Sequence, residues 1–596
     1  MLFAMFTRKR AVGAELTPSG TDFRVWAPGH RAVSVVIGDS NHPLEREPDG
    51  HFRGLITTAG AGTRYRFRLD DAQATYPDPA SRFQPDGPHG HSVVVDPESY
   101  GWRDGAWRGV DPRGLVIYEM HIGTFTREGT WRSAIEHLEG LREIGINLLE
   151  VMPVHEFPGR FGWGYDGVDL WAPAHIYGTP DDFRAFVDAA HAHGLGVILD
   201  VVYNHLGPDG CYQRQFTAAY FTKKYENDWG DSINFDDDGS DGVREFFAEN
   251  AAYWIDEFHL DGLRLDATQS IDDDSEEHVL TLIARRAREA ANGRPIFIVA
   301  ENEPQDVKLI DRYGLDALWN DDWHHAAMVA ATGFREAYYT DYRGTPQELV
   351  SMAQFGFLYQ GQYYTWQKTP RGTPSIHLPP ESLVCFLQNH DQIANSAHGE
   401  RLQFLTSPGR YHALTALLLL GPNTPMLFQG QEFGSSSPFL YFADHKPELA
   451  EAVAKGRREF LEQFPSLAGG RFARPDAAET FERCKLDHRE RQKNADIVAL
   501  HRDLLRLRRE MTGTVRGAVI GDRSFVLRYE QRLLIVNLGD GFRLDVIDEP
   551  LLAPRREHAW ELRWSSNSPD YGGPGIEPVE TGGTWLVPAH AAVVLA

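Results

Sequence analysis

Hydrophobic and polar residues alternate in three early stretches, 21–27, 32–37 and 63–69, with glycine-rich turns between them. A period of two marks a strand with one buried face, so residues 1–110 are expected to form an N-terminal β-sandwich. Past residue 110 the pattern changes to short continuous apolar runs, at 115–122, 146–154, 196–203, 260–266, 296–300, 317–319, 383–387 and 425–429. Helical periodicity fills the spaces between and after them, at 130–144, 179–193, 243–258, 276–291, 322–337, 394–405, 410–420, 449–463 and 495–511. Continuous apolar strands alternating with helices predict a parallel sheet covered on both faces. Eight such strands close naturally into a (β/α)8 TIM barrel, giving an α/β catalytic domain over 111–511. The stretches 205–240 and 340–382 are too long for ordinary connections and are expected to be functional inserts. Short strands return at 523–529, 533–537, 585–588 and 591–595, so 512–596 reads as a C-terminal β-domain.

Composition narrows the partners. The 596 residues exceed what one core supports, and 42% hydrophobic with 24% charged residues is ordinary for a large globular chain. The formal charge of −26 repels phosphate backbones and anionic bilayers, which argues against nucleic acid and membrane partners. Cys211, Cys385 and Cys484 are odd in number and lack metal-ligand spacing, so neither a disulfide framework nor a metal site is expected. Residues 1–6 are apolar and precede Arg8, Lys9 and Arg10, the reverse of a signal peptide, and no apolar run approaches the ~20 residues of a membrane span. The expectation is a soluble, cytoplasmic protein. Aromatic residues make up 12% of the chain; for any one tryptophan, core packing outweighs sugar stacking.

Barrel enzymes carry their chemistry at the C-terminal ends of the strands. There the chain places Asp200 to His205, Arg264 to Asp266, Glu301 with Asn302, and Gln388 to Asp391. Taken singly, each acid reads better as a helix cap, and Asp166-Gly167 or Asp261-Gly262 as a turn. Four strand-end carboxylates converging on one rim, with Arg264 two residues before Asp266 on the same strand face, make chance assembly improbable. Acetal cleavage requires such a set: a protonated acid for the leaving oxygen, and an ionised carboxylate facing the oxocarbenium-like carbon.

These four segments, Asp200-Val-Val-Tyr-Asn-His205, Gly262-Leu-Arg-Leu-Asp-Ala267, Val299-Ala-Glu-Asn302 and Gln388-Asn-His-Asp391, resemble the signature regions of the α-amylase superfamily of glycoside hydrolases. They occur in the family's order, and residues 421–432 resemble its eighth-strand segment. The N-terminal sandwich resembles the carbohydrate-binding-module-like domain of debranching and branching members. The resemblance implies Asp266 as nucleophile, Glu301 as acid/base and Asp391 as the carboxylate that grips and distorts the sugar. It implies that Arg264 orients Asp266, that His205 and His390 bind hydroxyls, that Asp200 supports the site, and that Tyr165 stacks under the sugar. It calls for no cofactor. Asn204 stands where many amylases place a calcium ligand, but one asparagine does not make a site of six to eight oxygens, and a structural role is expected.

The insert after His205, with Asn389 to Asn395 and His398 to Leu402, is similar to that of the maltooligosyltrehalose trehalohydrolase family. That resemblance implies cleavage of the α-1,4 bond beside the trehalose end of maltooligosyltrehalose, releasing trehalose and a maltooligosaccharide. It also implies coupling to maltooligosyltrehalose synthase. Trp229 and Tyr220 are candidates to line the trehalose pocket. Thr268-Gln269 departs from the family pattern, which has a histidine at the second position. A branching transferase or a general α-amylase-type hydrolase would share the triad; a non-catalytic glucan-binding barrel would not need it intact.

Overall fold

A computed structural model describes residues 7–227, 229–545, 548–554, 559–581 and 584–596. The N-terminal part is a sandwich of two antiparallel sheets. One holds Gly13–Thr17, Gly20–Trp26, His51–Ile56 and Glu45–Arg46; the other holds Ser40–Pro43, Val33–Ile37, Arg64–Leu69 and Thr75–Tyr76. The alternating residues Phe23, Val25, Val35, Tyr65 and Phe67 meet in its core. The same period that predicted strands therefore sorts the apolar side chains to the inside.

Eight parallel strands close into a barrel: Ile117–Met120, Leu148–Val151, Gly196–Val201, Gly262–Leu265, Phe297–Ala300, Ala317–Trp319, Leu383–Phe386 and Thr424–Phe428. All eight expected runs are present, and most strands stop short of the expected end. The reason is functional geometry. The third strand ends at Val201, the fourth at Leu265 and the fifth at Ala300, so the polar residues that follow leave the ladder and turn their side chains over the rim. A C-terminal β-domain follows, with sheets of five and three strands around Val526, Ile535, Val587 and Val593.

Two helix expectations need correction. The stretch 130–144 is two helices, Trp131–Ile135 and Leu138–Ile144. The stretch 394–405 is also two, His390–Ala394 and Leu402–Leu405. Between the latter pair Gly399 takes φ 65° where a Cβ would meet the Phe439 carbonyl at 2.4 Å, so the backbone there cannot be helical. The insert 340–382 is not all loop: Thr345 and Glu348 form a reciprocal capping box that starts helix Pro346–Phe355, ahead of a hairpin pairing Tyr363–Tyr364 with Thr369–Pro370.

The segment joining sandwich to barrel is clasped to the barrel floor. Trp102 stacks on His259 with centroids 3.8 Å apart, and Trp107 on His191 at 4.6 Å. Asp261 immediately precedes the fourth strand there, so Asp261-Gly262 leads into a strand and is not a turn. Gly262 has φ 151°, and a Cβ on it would lie 1.7 Å from the Phe297 carbonyl oxygen of the neighbouring strand.

Candidate active site

Arg264 is the centre of the rim. The third and fourth strands pair Asp200 with Arg264 in register, and Arg264 is wholly buried. Its guanidinium lies 4.3 Å from the Trp319 ring centroid, held on the sixth strand. One terminal nitrogen donates to Asp200 Oδ1 and Oδ2 at 2.9 and 2.8 Å and to Asp266 Oδ1 at 2.6 Å. The other donates to Glu301 Oε2 at 2.9 Å. A rigid planar donor thus gathers three carboxyls from three adjacent strands, a geometry that lysine could not supply.

The remaining bonds divide the carboxyls into different states. Asp266 Oδ2 accepts from Asn204 Nδ2 at 3.0 Å, so both its oxygens face donors. Asn204 thus directly supports Asp266. Glu301 Oε2 also accepts from the Ala267 amide at 3.0 Å, while no donor in the described residues meets its Oε1. Burial raises the Glu301 carboxyl to about 8, outweighing Arg264, with Asp266 and Asp391 adding to the rise. Burial likewise lifts Asp200 to about 6, against the pull of Arg264. At neutral pH Glu301 is thus poised as an acid.

The Asp391 side chain is 42% exposed at the start of helix His390–Ala394, which Asn389 caps through the Gln392 amide. His390 Nε2 sits 3.7 Å from Asp391 Oδ2 and 2.9 Å from Tyr165 Oη, and its Nδ1 faces Glu119 Oε1. Burial opposes charge on His390, but Glu119 and Asp391 prevail and raise it to about 9, so the ring is an imidazolium. Tyr165 donates to Asp200 Oδ2 at 2.7 Å and lies over His390, its centroid 5.2 Å away. His205 Nε2 faces the Tyr165 carbonyl at 3.0 Å, and Trp229, half exposed, stacks on His205 at 6.0 Å.

The structure therefore brings together Tyr165, Asp200, His205, Trp229, Arg264, Asp266, Glu301, His390 and Asp391. It does not bring Tyr220. That ring is 2% exposed and packs edge-on against Trp26 of the sandwich and Phe246, with centroids 5.4 and 5.3 Å away. Tyr220 fastens the insert to the sandwich, away from the rim residues; an aromatic residue in a loop carries no sign of which side it faces.

Sequence reading missed Glu119, Glu150 and Asp321. Glu119 anchors His390, donated to by its amide at 3.1 Å as well as its ring. Glu150 is buried beside Glu119 in the barrel, and burial, with the neighbouring Glu119 charge, raises its carboxyl well above the ordinary carboxylate range. Asp321 follows the sixth strand. The signal existed: Glu119 and Glu150 interrupt apolar strand runs, where an acid is costly unless it has work to do.

Comparisons with known proteins identify the family. Residues 96–241 match a family profile described as α-amylase, catalytic domain, and residues 510–594 match a domain of unknown function, DUF3459. The chain is similar to a malto-oligosyltrehalose trehalohydrolase of Deinococcus radiodurans, 40% identical over 90% of this chain and 91% of that protein. It is also similar to one of Saccharolobus solfataricus, 40% identical over 84% of this chain and 87% of the other. A crystal structure from Salmonella typhimurium superposes with a TM-score of 0.87 at 38% identity, covering 98% of this chain and all of that one.

Proposed function

We propose a function for this chain from one premise: it belongs to the malto-oligosyltrehalose trehalohydrolase family, within the α-amylase superfamily of glycoside hydrolases. The enzyme hydrolyses the α-1,4 bond next to the trehalose end of maltooligosyltrehalose and releases trehalose with a maltooligosaccharide. The observation that supports the residue roles best is the single guanidinium of Arg264 shared by Asp266, Asp200 and Glu301.

In this reading Glu301 gives its proton to the bridging oxygen as the bond from that oxygen to the anomeric carbon breaks. An Asp266 oxygen attacks the same carbon from the opposite face, and a covalent glycosyl-enzyme forms. Water then attacks that carbon, its proton passes to Glu301, and Asp266 leaves, so two inversions retain the anomeric configuration. Asp391 and the His390 imidazolium hold hydroxyls of the sugar being cleaved, and Tyr165 carries its apolar face. Trp229, exposed beside His205, offers a second ring to the substrate. The substrate is the product of maltooligosyltrehalose synthase, to which the enzyme is functionally coupled, in the cytoplasm. No helix among the described residues is long and apolar enough to cross a membrane.

Product analysis tests the reading. Maltooligosyltrehalose should yield trehalose, with kcat/KM at least ~10-fold above that for a maltooligosaccharide of equal length. Equal values would make the enzyme a general α-amylase-type hydrolase, and α-1,6 branches formed from amylose would place it with the branching transferases.

A further inference from the structure

Asp321 and Asp322 are neighbours at the start of helix Asp321–Thr332, yet their side chains have opposite fates. Asp322 is fully buried and saturated. It accepts from Gln305 Nε2 at 2.9 Å, Tyr342 Oη at 2.6 Å, Arg371 Nε at 3.0 Å and the Tyr359 amide at 2.8 Å. Asp321 is half-buried, and among the described residues no donor bonds its carboxyl. An acid placed there only for the helix dipole would face solvent freely. Asp321 instead stands among charges: it lies within electrostatic reach of Glu301, Glu303, Arg371 and Asp391.

Its position in the barrel gives that vacancy a direction. The sixth strand runs between the fifth, which carries Glu301, and the seventh, which carries Asp391. Attack by Asp266 on the fourth strand expels the leaving oxygen from the opposite face of the anomeric carbon. Going round the ring from the fourth strand past Glu301, the next strand end is that of Asp321. The same side is walled by the insert 340–382, whose Gly372 amide donates to the Pro304 carbonyl at 2.9 Å and whose Arg371 pairs with Glu303.

We propose that Asp321 is a specificity-determining residue of the leaving-group side, whose open carboxyl oxygens bind hydroxyls of the departing sugar. The proposal rests on the trehalose-releasing reaction above. Burial raises the Asp321 carboxyl to about 7, against the pull of Arg371, so near neutral pH it can accept from one hydroxyl and donate to another. Losing such bonds leaves the sugar's polar groups unpaired in the cleft, the case in which discrimination is largest.

The experiment compares wild type with Asp321→Asn and Asp321→Ala, each checked by thermal melting. Three quantities are read: kcat/KM on maltooligosyltrehalose, the trehalose inhibition constant against hydrolysis of α-maltotriosyl fluoride, and the pH profile of kcat. The expected result for Asp321→Ala is a loss of at least ~10-fold in kcat/KM and a matching rise in the trehalose inhibition constant. The fluoride, whose leaving group bears no hydroxyls, should be cut at the wild-type rate within about threefold. Asp321→Asn, which keeps donor and acceptor atoms, should fall between. An unchanged trehalose constant with a displaced alkaline limb would overturn the proposal, because Asp321 would then act by tuning Glu301. Equal losses on both substrates would overturn it too. Wild-type enzyme that releases no trehalose would instead overturn the reaction on which the proposal rests.

Discussion

The fourth barrel strand carries an aspartate at each end, and the two ends of the molecule differ in how those acids are treated. At the floor, Asp261 is 0% exposed and accepts from Trp107 Nε1 at 2.7 Å, His191 Nε2 at 2.9 Å, the Val197 amide at 2.9 Å and Arg294 at 2.5 Å. At the rim, Asp266 takes two donors, Glu301 Oε1 takes none in the described residues, and the carboxyls of Asp321 and Asp391 have no hydrogen-bond donor there. Both networks pack arginine, histidine and acid into low-dielectric surroundings. At the floor both Asp261 oxygens are filled, which contributes to holding the fold together. The rim leaves acceptors open, which costs stability in the free protein and supplies binding capacity to a polyhydroxylated ligand.

The sharpest way to break the comparison is to remove one acid from each end. Asp266→Asn should abolish turnover, by roughly 10⁴-fold or more in kcat as expected when a covalent nucleophile is lost, while substrate still binds. Its melting temperature should change little, because asparagine keeps an acceptor for Arg264, whose charge Asp200 and Glu301 still face. Glu301→Gln should lower kcat by about 10²–10⁴-fold. Because Glu301 must be protonated to act and its carboxyl is raised to about 8, wild-type activity should fall as pH rises through that value. The variant should lose that limb. A wild-type profile flat to pH 9 would remove Glu301 from the acid's role.

At the floor the order reverses. Asp261→Ala leaves the His191 ring and Arg294 without their shared acceptor, and breaking a buried pair costs about 3–5 kcal/mol. The unfolding midpoint in denaturant should drop accordingly, with kcat/KM at 25 °C within about twofold of wild type for the folded fraction. A large kcat defect with unchanged stability would show that the two ends are not separate in function.

The rim was legible in the sequence and the floor was not, for a physical reason. Asp266 and Glu301 stand immediately after apolar strand runs, Asp200 near the end of another and Asp391 a few residues past a fourth, so period and position alone point to one rim. Asp104, His191, His259 and Asp261 meet only after folding, from a linker, a helix end and the approach to a strand, and no spacing announces them. Asp321 fell between these cases. Its strand, Ala317–Trp319, is short, and an acid at the start of a helix reads as an ordinary first-turn residue. Tyr220 was misread because local pattern says a loop ring is apolar but not which surface it meets.

The smallest effect concerns pH and the floor. His191 Nδ1 faces Asp104 Oδ2 at 2.9 Å and its Nε2 faces Asp261 Oδ2 at 2.9 Å. Only the imidazolium can donate at both nitrogens, and although burial works against charge, these two carboxylates raise the ring above its ordinary value. A group whose folded value is raised adds stability that is full below the unfolded value, about 6.5 for histidine, and is lost as pH rises through the folded one. Asp104 works in the other direction: His191 and His259 outweigh its burial and hold it well below the carboxylate range, so its share is present above the unfolded value of about 3.9 and is lost only in strong acid. Between about pH 4 and 6.5 the clasp therefore has both contributions. His191→Gln, which keeps one donor and removes the charge, should be less stable than wild type by about 1–3 kcal/mol at pH 6. That gap should narrow as pH rises through the folded value of His191, because wild type loses what the variant never had. A gap that stays constant from pH 6 to 10 would mean that His191 packs against Trp107 as a neutral ring and that the floor, like the rim, tolerates an unmet acceptor.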